Sequence, residues 1–106
     1  LLTHEKATVT LCHEWTRSLE FHIKSADVLV SAVGKPNLIP AGWINPASTV
    51  IDVGINHLPS GAVCGDIDPN YIPNSKGLLS PVPGGVGPVT VAMLLRNAID
   101  AWQRTQ

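Results

Sequence analysis

Pro81-Val82-Pro83-Gly84-Gly85-Val86-Gly87-Pro88 decides how this sequence is read. Three glycines and three prolines in eight residues cannot continue a strand. Behind them Val91, Leu95, Ala98 and Trp102 recur at spacings of four, three and four. Ala92, Leu95, Ile99 and Trp102 form an overlapping stripe, so a broad apolar helix face is predicted from Pro88 to Gln103. Pro88 suits the first helical position, where a missing N–H costs nothing. Leu78-Leu79-Ser80 before the stretch reads as a short strand. A glycine turn between a strand and a helix start offers free N–H groups and partial positive charge to a polar or negative ligand. The stretch lacks the Gly-x-Gly-x-x-Gly spacing of the dinucleotide fingerprint, which occurs nowhere in the chain. The residues alone therefore give a ligand-facing glycine loop, with Thr90 in the first helical turn offering its hydroxyl to a ligand or to the backbone.

Upstream, strands and helices alternate. Ala7–Cys12 is rich in β-branched residues and is predicted to be a strand. Thr16 or Ser18 can cap a helix in which Leu19, Ile23 and Ala26 share a face. Asp27–Val33 is a near-continuous apolar run, as expected of a strand buried on both faces of a parallel sheet. Residues 40–44 allow one short helical turn. Thr49–Val53 is the next buried strand, His57–Gly61 a turn, and Ala62–Cys64 a short extended piece with a partner nearby. Residues 68–77 hold Pro69, Pro73 and Gly77 and read as irregular. This alternation is the grammar of an α/β layer fold with right-handed crossovers.

In such a sheet, ligands bind beyond the carboxyl ends of the strands. Those ends are Cys12-His13-Glu14, Val33-Gly34-Lys35-Pro36, Asp52-Val53-Gly54-Ile55-Asn56 and Val82–Gly87. Glycine at three of the four admits a ligand close to the backbone, although any one could merely make a turn. His13 could meet a phosphate or metal, against the plainer reading of a strand-end histidine bonded locally. His4, His22 and His57 read as solvated. Asp52 interrupts an apolar strand and must find partners if buried, so a structural and a ligand role stand equal. Asp66 could simply cap a turn. No residue set supplies a general base or nucleophile, and no metal site is expected.

Composition bounds the rest. The 106 residues, 44% hydrophobic and 14% charged, suffice for one small domain with one core. Seven basic against eight acidic residues give a net charge of -1, with no basic stripe, so neither nucleic acid nor membrane is an expected partner. Cys12 and Cys64 read as two reduced core cysteines.

Taken in order, Ala7-Thr-Val-Thr, Cys12-His13, Ala26-Asp27, Val33-Gly34-Lys35-Pro36, Val50-Ile-Asp-Val-Gly-Ile-Asn56, Gly65-Asp66 and Pro81–Met93 resemble the methylenetetrahydrofolate dehydrogenase/methenyltetrahydrofolate cyclohydrolase family over nearly the whole chain. The resemblance implies that residues 1–106 are the C-terminal NAD(P)-binding, Rossmann-like part, a mostly parallel sheet with flanking helices. It implies an N-terminal folate-binding catalytic domain, a first Rossmann strand and a Gly-Arg-Ser loop outside this chain, with Leu1-Leu2 the tail of the helix after that loop. Catalytic residues are then expected in the N-terminal domain and none here. Pro83, Gly84, Gly85, Val86 and Gly87 are implied to line the folate side. Ile55, Gly54 and Asn56 are implied to face the dinucleotide, Thr90 the nicotinamide, and Gly34 the cofactor backbone. The implied cofactor is NADP, the implied substrate a tetrahydrofolate derivative, the implied assembly a homodimer, and the implied compartment the cytoplasm, with an organelle left open. Glu14 stands where many NADP-using members carry serine near the ribose 2′-phosphate, which leaves NAD open as well. Val89 replaces the usual Met or Phe, and residues 68–77 replace a common helix. The alternative is a non-catalytic nucleotide-binding or dimerisation module of the same fold.

Overall fold

The computed structural model describes residues 2–106; the expectation for Leu1 lies outside them, and Leu2 sits exposed in a turn. Helix α1 spans Leu19–Ser25, strand β1 Val28–Ser31, a 3-10 turn Ala41–Trp43 and strand β2 Thr49–Asp52. Strands β3 (Asn56–His57), β4 (Val63–Cys64) and β5 (Leu78–Leu79) follow, and helix α2 closes the chain over Val86–Arg104. The main sheet is parallel in the order β1-β2-β5, with Leu29 opposite Val50 and Val50 opposite Leu79. Paired residues of a parallel ladder point to one side. Leu29, Val50 and Leu79 therefore share the face that packs with Ile23, Ile39, Ile44, Ile67 and Tyr71. Antiparallel β3–β4 is the partnered extended piece expected at Ala62–Cys64. Residues 68–77 are turns and irregular backbone, as their prolines require.

Four expectations need correction. Ala7–Cys12 is not a strand. β propensity is realised only in a ladder, and no described strand pairs with this segment. β1 is not buried on both faces: Val28 and Val30 are about half exposed, at 54% and 52%, while Ser31 is buried. Helix α1 and the 3-10 turn both pack on the core side, against the face that carries Leu29. α2 begins at Val86, two residues before Pro88, with Gly85 as its cap. Proline is equally free of cost at its third position, because the first four N–H groups of a helix have no intrahelical acceptor. The broad apolar stripe of α2 exists but is exposed along its length. Finally, the two cysteines are half-buried rather than core residues.

The cap of α1 is also indirect. Ser18 occupies the cap position without a side-chain bond, while the Thr16 hydroxyl accepts from the His13 N–H at 2.8 Å.

Candidate functional site

At the carboxyl ends of β2 and β5 lies a cleft of about 510 Å3. Its walls are Asp52, Val53, Ile55 and Val63 on one side and the whole of Pro81–Pro88 with Thr90 on the other. The sheet places it. β2 ends at Asp52, β5 ends just before Ser80, and the two run in parallel, so both exits open in the same direction. The Ser80 hydroxyl accepts from the Asp52 N–H at 2.9 Å and ties the two exits together. Gly84 is left-handed, at φ 95, and the Val82–Pro83 bond is cis. The lining is mainly Val, Ile, Pro and Gly, and the volume falls in the range typical of small-molecule sites, roughly 300–1,000 Å3.

Of the residues singled out from sequence, Ile55, Thr90, Pro83, Gly84, Gly85, Val86 and Gly87 line this cleft. Gly54, Asn56, Gly34 and Glu14 do not. Gly54 and Asn56 are buried beneath it, while Gly34 and Glu14 are exposed elsewhere. The Thr90 hydroxyl donates to the Val86 carbonyl at 2.9 Å, the backbone alternative of its two expected roles. His13 takes the plainer of its two readings, its Nδ1 accepting from the Trp15 N–H at 3.1 Å.

Below the cleft is a feature that sequence reading undervalued: a pair of buried aspartates, each seated on a glycine beside the other. The Asp66 carboxylate accepts from the Ser31 hydroxyl (2.9 Å), the N–H groups of Val33 (2.8 Å), Gly34 (3.3 Å) and Lys35 (3.1 Å), and Asn56 Nδ2 (3.1 Å). The Asp52 carboxylate accepts from the N–H groups of Gly54 (3.0 Å), Asp66 (3.1 Å) and Ile67 (3.1 Å). A Cβ on Gly54 would fall within the Asp66 carboxylate, and one on Gly65 within that of Asp52. Asp52 thus takes the structural role left open by its sequence, while bordering the cleft, and Asp66 holds two strand exits rather than capping a turn. Among the described residues no buried side-chain polar atom lacks a partner.

Burial pushes the Asp66 carboxyl pKa up. The Val33 N–H, the Asn56 and Ser31 side chains and the Gly34 N–H together outweigh it and hold the pKa below the ordinary 3.8. A carboxylate with a depressed folded pKa stabilises fully above its unfolded pKa, and the contribution is lost as pH falls through the folded value. The stability gap between the natural chain and Asp66→Asn is therefore expected to be constant near neutrality. It should narrow only once pH drops below about 3.8. Urea unfolding of both proteins across that range checks it, and a gap that closes at higher pH contradicts the assignment.

The geometry accords with what the chain is similar to. Residues 1–106 match the family described as tetrahydrofolate dehydrogenase/cyclohydrolase, NAD(P)-binding domain. The chain belongs to this family. It is 50% identical over 104 residues to the bifunctional protein FolD of Dechloromonas aromatica, covering 98% of this chain and 37% of that protein. Among solved structures, the bifunctional FolD enzyme of Campylobacter jejuni superposes with TM-score 0.86 at 40% identity, over 94% of this chain and 36% of that one. The Trypanosoma brucei enzyme, solved with NADP cofactor and inhibitor, gives TM-score 0.85 at 36% identity, over 98% of this chain and 38% of that one. The Rossmann-like α/β fold expected from sequence is thus shown. The chain spans little more than a third of the length of these relatives.

Proposed function

We propose that this chain is the dinucleotide-binding part of an enzyme that oxidises 5,10-methylenetetrahydrofolate to 5,10-methenyltetrahydrofolate with NADP and hydrolyses the product to 10-formyltetrahydrofolate. The observation that carries the reading is the cleft between Ile55 and the Pro81–Pro88 stretch, at strand carboxyl ends where such a fold receives its ligand. In this reading Pro83, Gly84, Gly85, Val86 and Gly87 form the folate wall, and Ile55 and Thr90 border the nicotinamide. Gly54 and Asn56 act from beneath by fixing the backbone on either side of Ile55, and Gly34 meets the cofactor at a separate corner. The apolar walls exclude water from the reacting faces. When bound, the oxidised nicotinamide accepts the hydride. The chain's own groups bind and orient, and the acid–base residues belong to an N-terminal folate-binding domain preceding this one. A tetrahydrofolate derivative, a homodimeric assembly and a cytoplasmic setting belong to the same proposal. For membranes the described residues say only that no helix is long and apolar enough to cross one.

The reading is tested on the chain by itself. It is expected to show saturable shifts of the Ile55 and Thr90 amide signals with NADP, and no NADP reduction with methylenetetrahydrofolate. Turnover by these residues alone would place the acid–base chemistry here after all. Shifts confined to residues far from the cleft would overturn the site.

Glu14 is exposed, and the family resemblance is what sets it beside the cofactor ribose in this reading. A carboxylate there repels a 2′-phosphate and accepts from a 2′-hydroxyl. The kcat/KM ratio of NADP over NAD for the intact enzyme is expected to stay below about a hundredfold, about 2.7 kcal/mol. Glu14→Ser should raise it about tenfold; an unchanged ratio would remove Glu14 from the site.

A further inference from the structure

Three successive backbone N–H groups, those of Val33, Gly34 and Lys35, leave the carboxyl end of β1 and converge on one point. Gly34 is left-handed, at φ 75, within this turn. Converging consecutive N–H groups form a concavity that binds anions, phosphate above all. Here the anion is internal. Both oxygens of Asp66 occupy it, with Oδ2 taking Val33 and Gly34 and Oδ1 taking Lys35. The carboxylate is held in place from three further directions. Ser31 and Asn56 donate to it from β1 and β3, and Asp52 anchors its backbone N–H from β2. Asp66 is wholly buried, whereas Val33, Gly34 and Lys35 are exposed on their outer side.

We propose that Asp66 is a specificity-determining, positioning residue: a built-in carboxylate that fills the anion nest of Val33–Lys35 and so withdraws this strand exit from phosphate binding. The occupied nest already faces one negative charge, and a phosphate brought to the same turn meets repulsion while the three backbone donors are already engaged. Resting on the dinucleotide reading, the consequence is a division of the cofactor. Gly34 meets an uncharged part of it, a ribose hydroxyl or a carboxamide, and the phosphates are received at other exits of the sheet. The glycine there serves close approach to that neutral group.

The nest itself is tested with inorganic phosphate, so the result does not depend on whether the chain binds a dinucleotide. In the natural protein, through-hydrogen-bond couplings are expected from the amide nitrogens of Val33, Gly34 and Lys35 to the Asp66 side-chain carboxylate carbon. The same three amide signals should not respond saturably to phosphate. In Asp66→Ser the nest is vacated, and the three signals should shift together and saturably, with phosphate affinity at least about tenfold above that of the natural protein. Absent couplings, a saturable response in the natural protein, or unmoved signals in the folded variant would each overturn the proposal. Should Asp66→Ser not fold, the couplings and the phosphate titration of the natural protein decide alone. Failure of the dinucleotide reading would show instead as intact couplings and a phosphate-responsive variant in a protein that binds no NADP.

Discussion

Gly65→Ala is expected to unfold this protein or to lower its melting temperature by something like 15 °C. The added Cβ would sit within the Asp52 carboxylate, and the backbone at Gly65 is buried and not in the left-handed region. Alanine therefore adds no left-handed strain, and the penalty considered is the steric one. Overpacking a filled interior costs about 1–3 kcal/mol, and here the displaced atom cannot simply rotate away. Moving the Asp52 carboxylate also breaks its bonds to the N–H groups of Asp66 and Ile67. With that loss the expected cost is about 3 kcal/mol or more, and in a domain near 100 residues each kcal/mol moves the midpoint by about 4–8 °C. Gly42→Ala is the control. Nothing lies within 4 Å of a Cβ at Gly42, so its effect should stay within about 0.5 kcal/mol. Thermal unfolding of the two variants side by side settles the matter. Equal midpoints would mean that the aspartate–glycine contact is not tight in solution.

This same contact marks the limit of what the sequence discloses. Elements defined by local chemistry were legible in it: the glycine stretch before a long helix, the short strand at Leu78-Leu79, the turn at Ala41–Trp43 and the extended partner at Val63–Cys64. Their signals lie within a few residues of one another. Ala7–Cys12 has an equally strong strand composition and forms none, because ladder partners are not a local property. The exposure of Val28 and Val30 has no local signature for the same reason. An apolar run shows that a strand can be buried twice, not that a helix covers it.

The cleft was half legible. Every residue assigned from the Pro83–Gly87 loop lines it, as do Ile55 and Thr90, since a glycine turn at a strand exit has few other places to go. Gly54 and Asn56 proved to be supports rather than walls. A faint signal for that existed: an aspartate two residues before Gly54 and another directly after Gly65. Each glycine lies within two residues of one aspartate in sequence and against the other in space. Only the fold, by bringing β2 against the segment from Gly65 to Ile67, makes the reciprocity visible.

Asp52→Ala is expected to be as damaging as the glycine substitution, by the opposite route. It removes bulk and leaves the N–H groups of Gly54, Asp66 and Ile67 without an acceptor. A buried donor stripped of its partner costs about 1–3 kcal/mol. Because water enters the space vacated next to the cleft, the three penalties do not add in full, and about 3–5 kcal/mol is expected in total. Asp52→Asn keeps the shape and one oxygen. Placed as Oδ1 it still accepts from Gly54 and Asp66, and only Ile67 faces a donor instead of an acceptor. Its cost should be less than half that of alanine. The order Ala well below Asn, read from urea midpoints at unchanged slope, distinguishes a hydrogen-bonding role from a charge that acts at long range. If Asn were as destabilised as Ala, the negative charge itself would be what the three N–H groups require. The aspartate pair would then be an electrostatic anchor rather than a network of directed bonds.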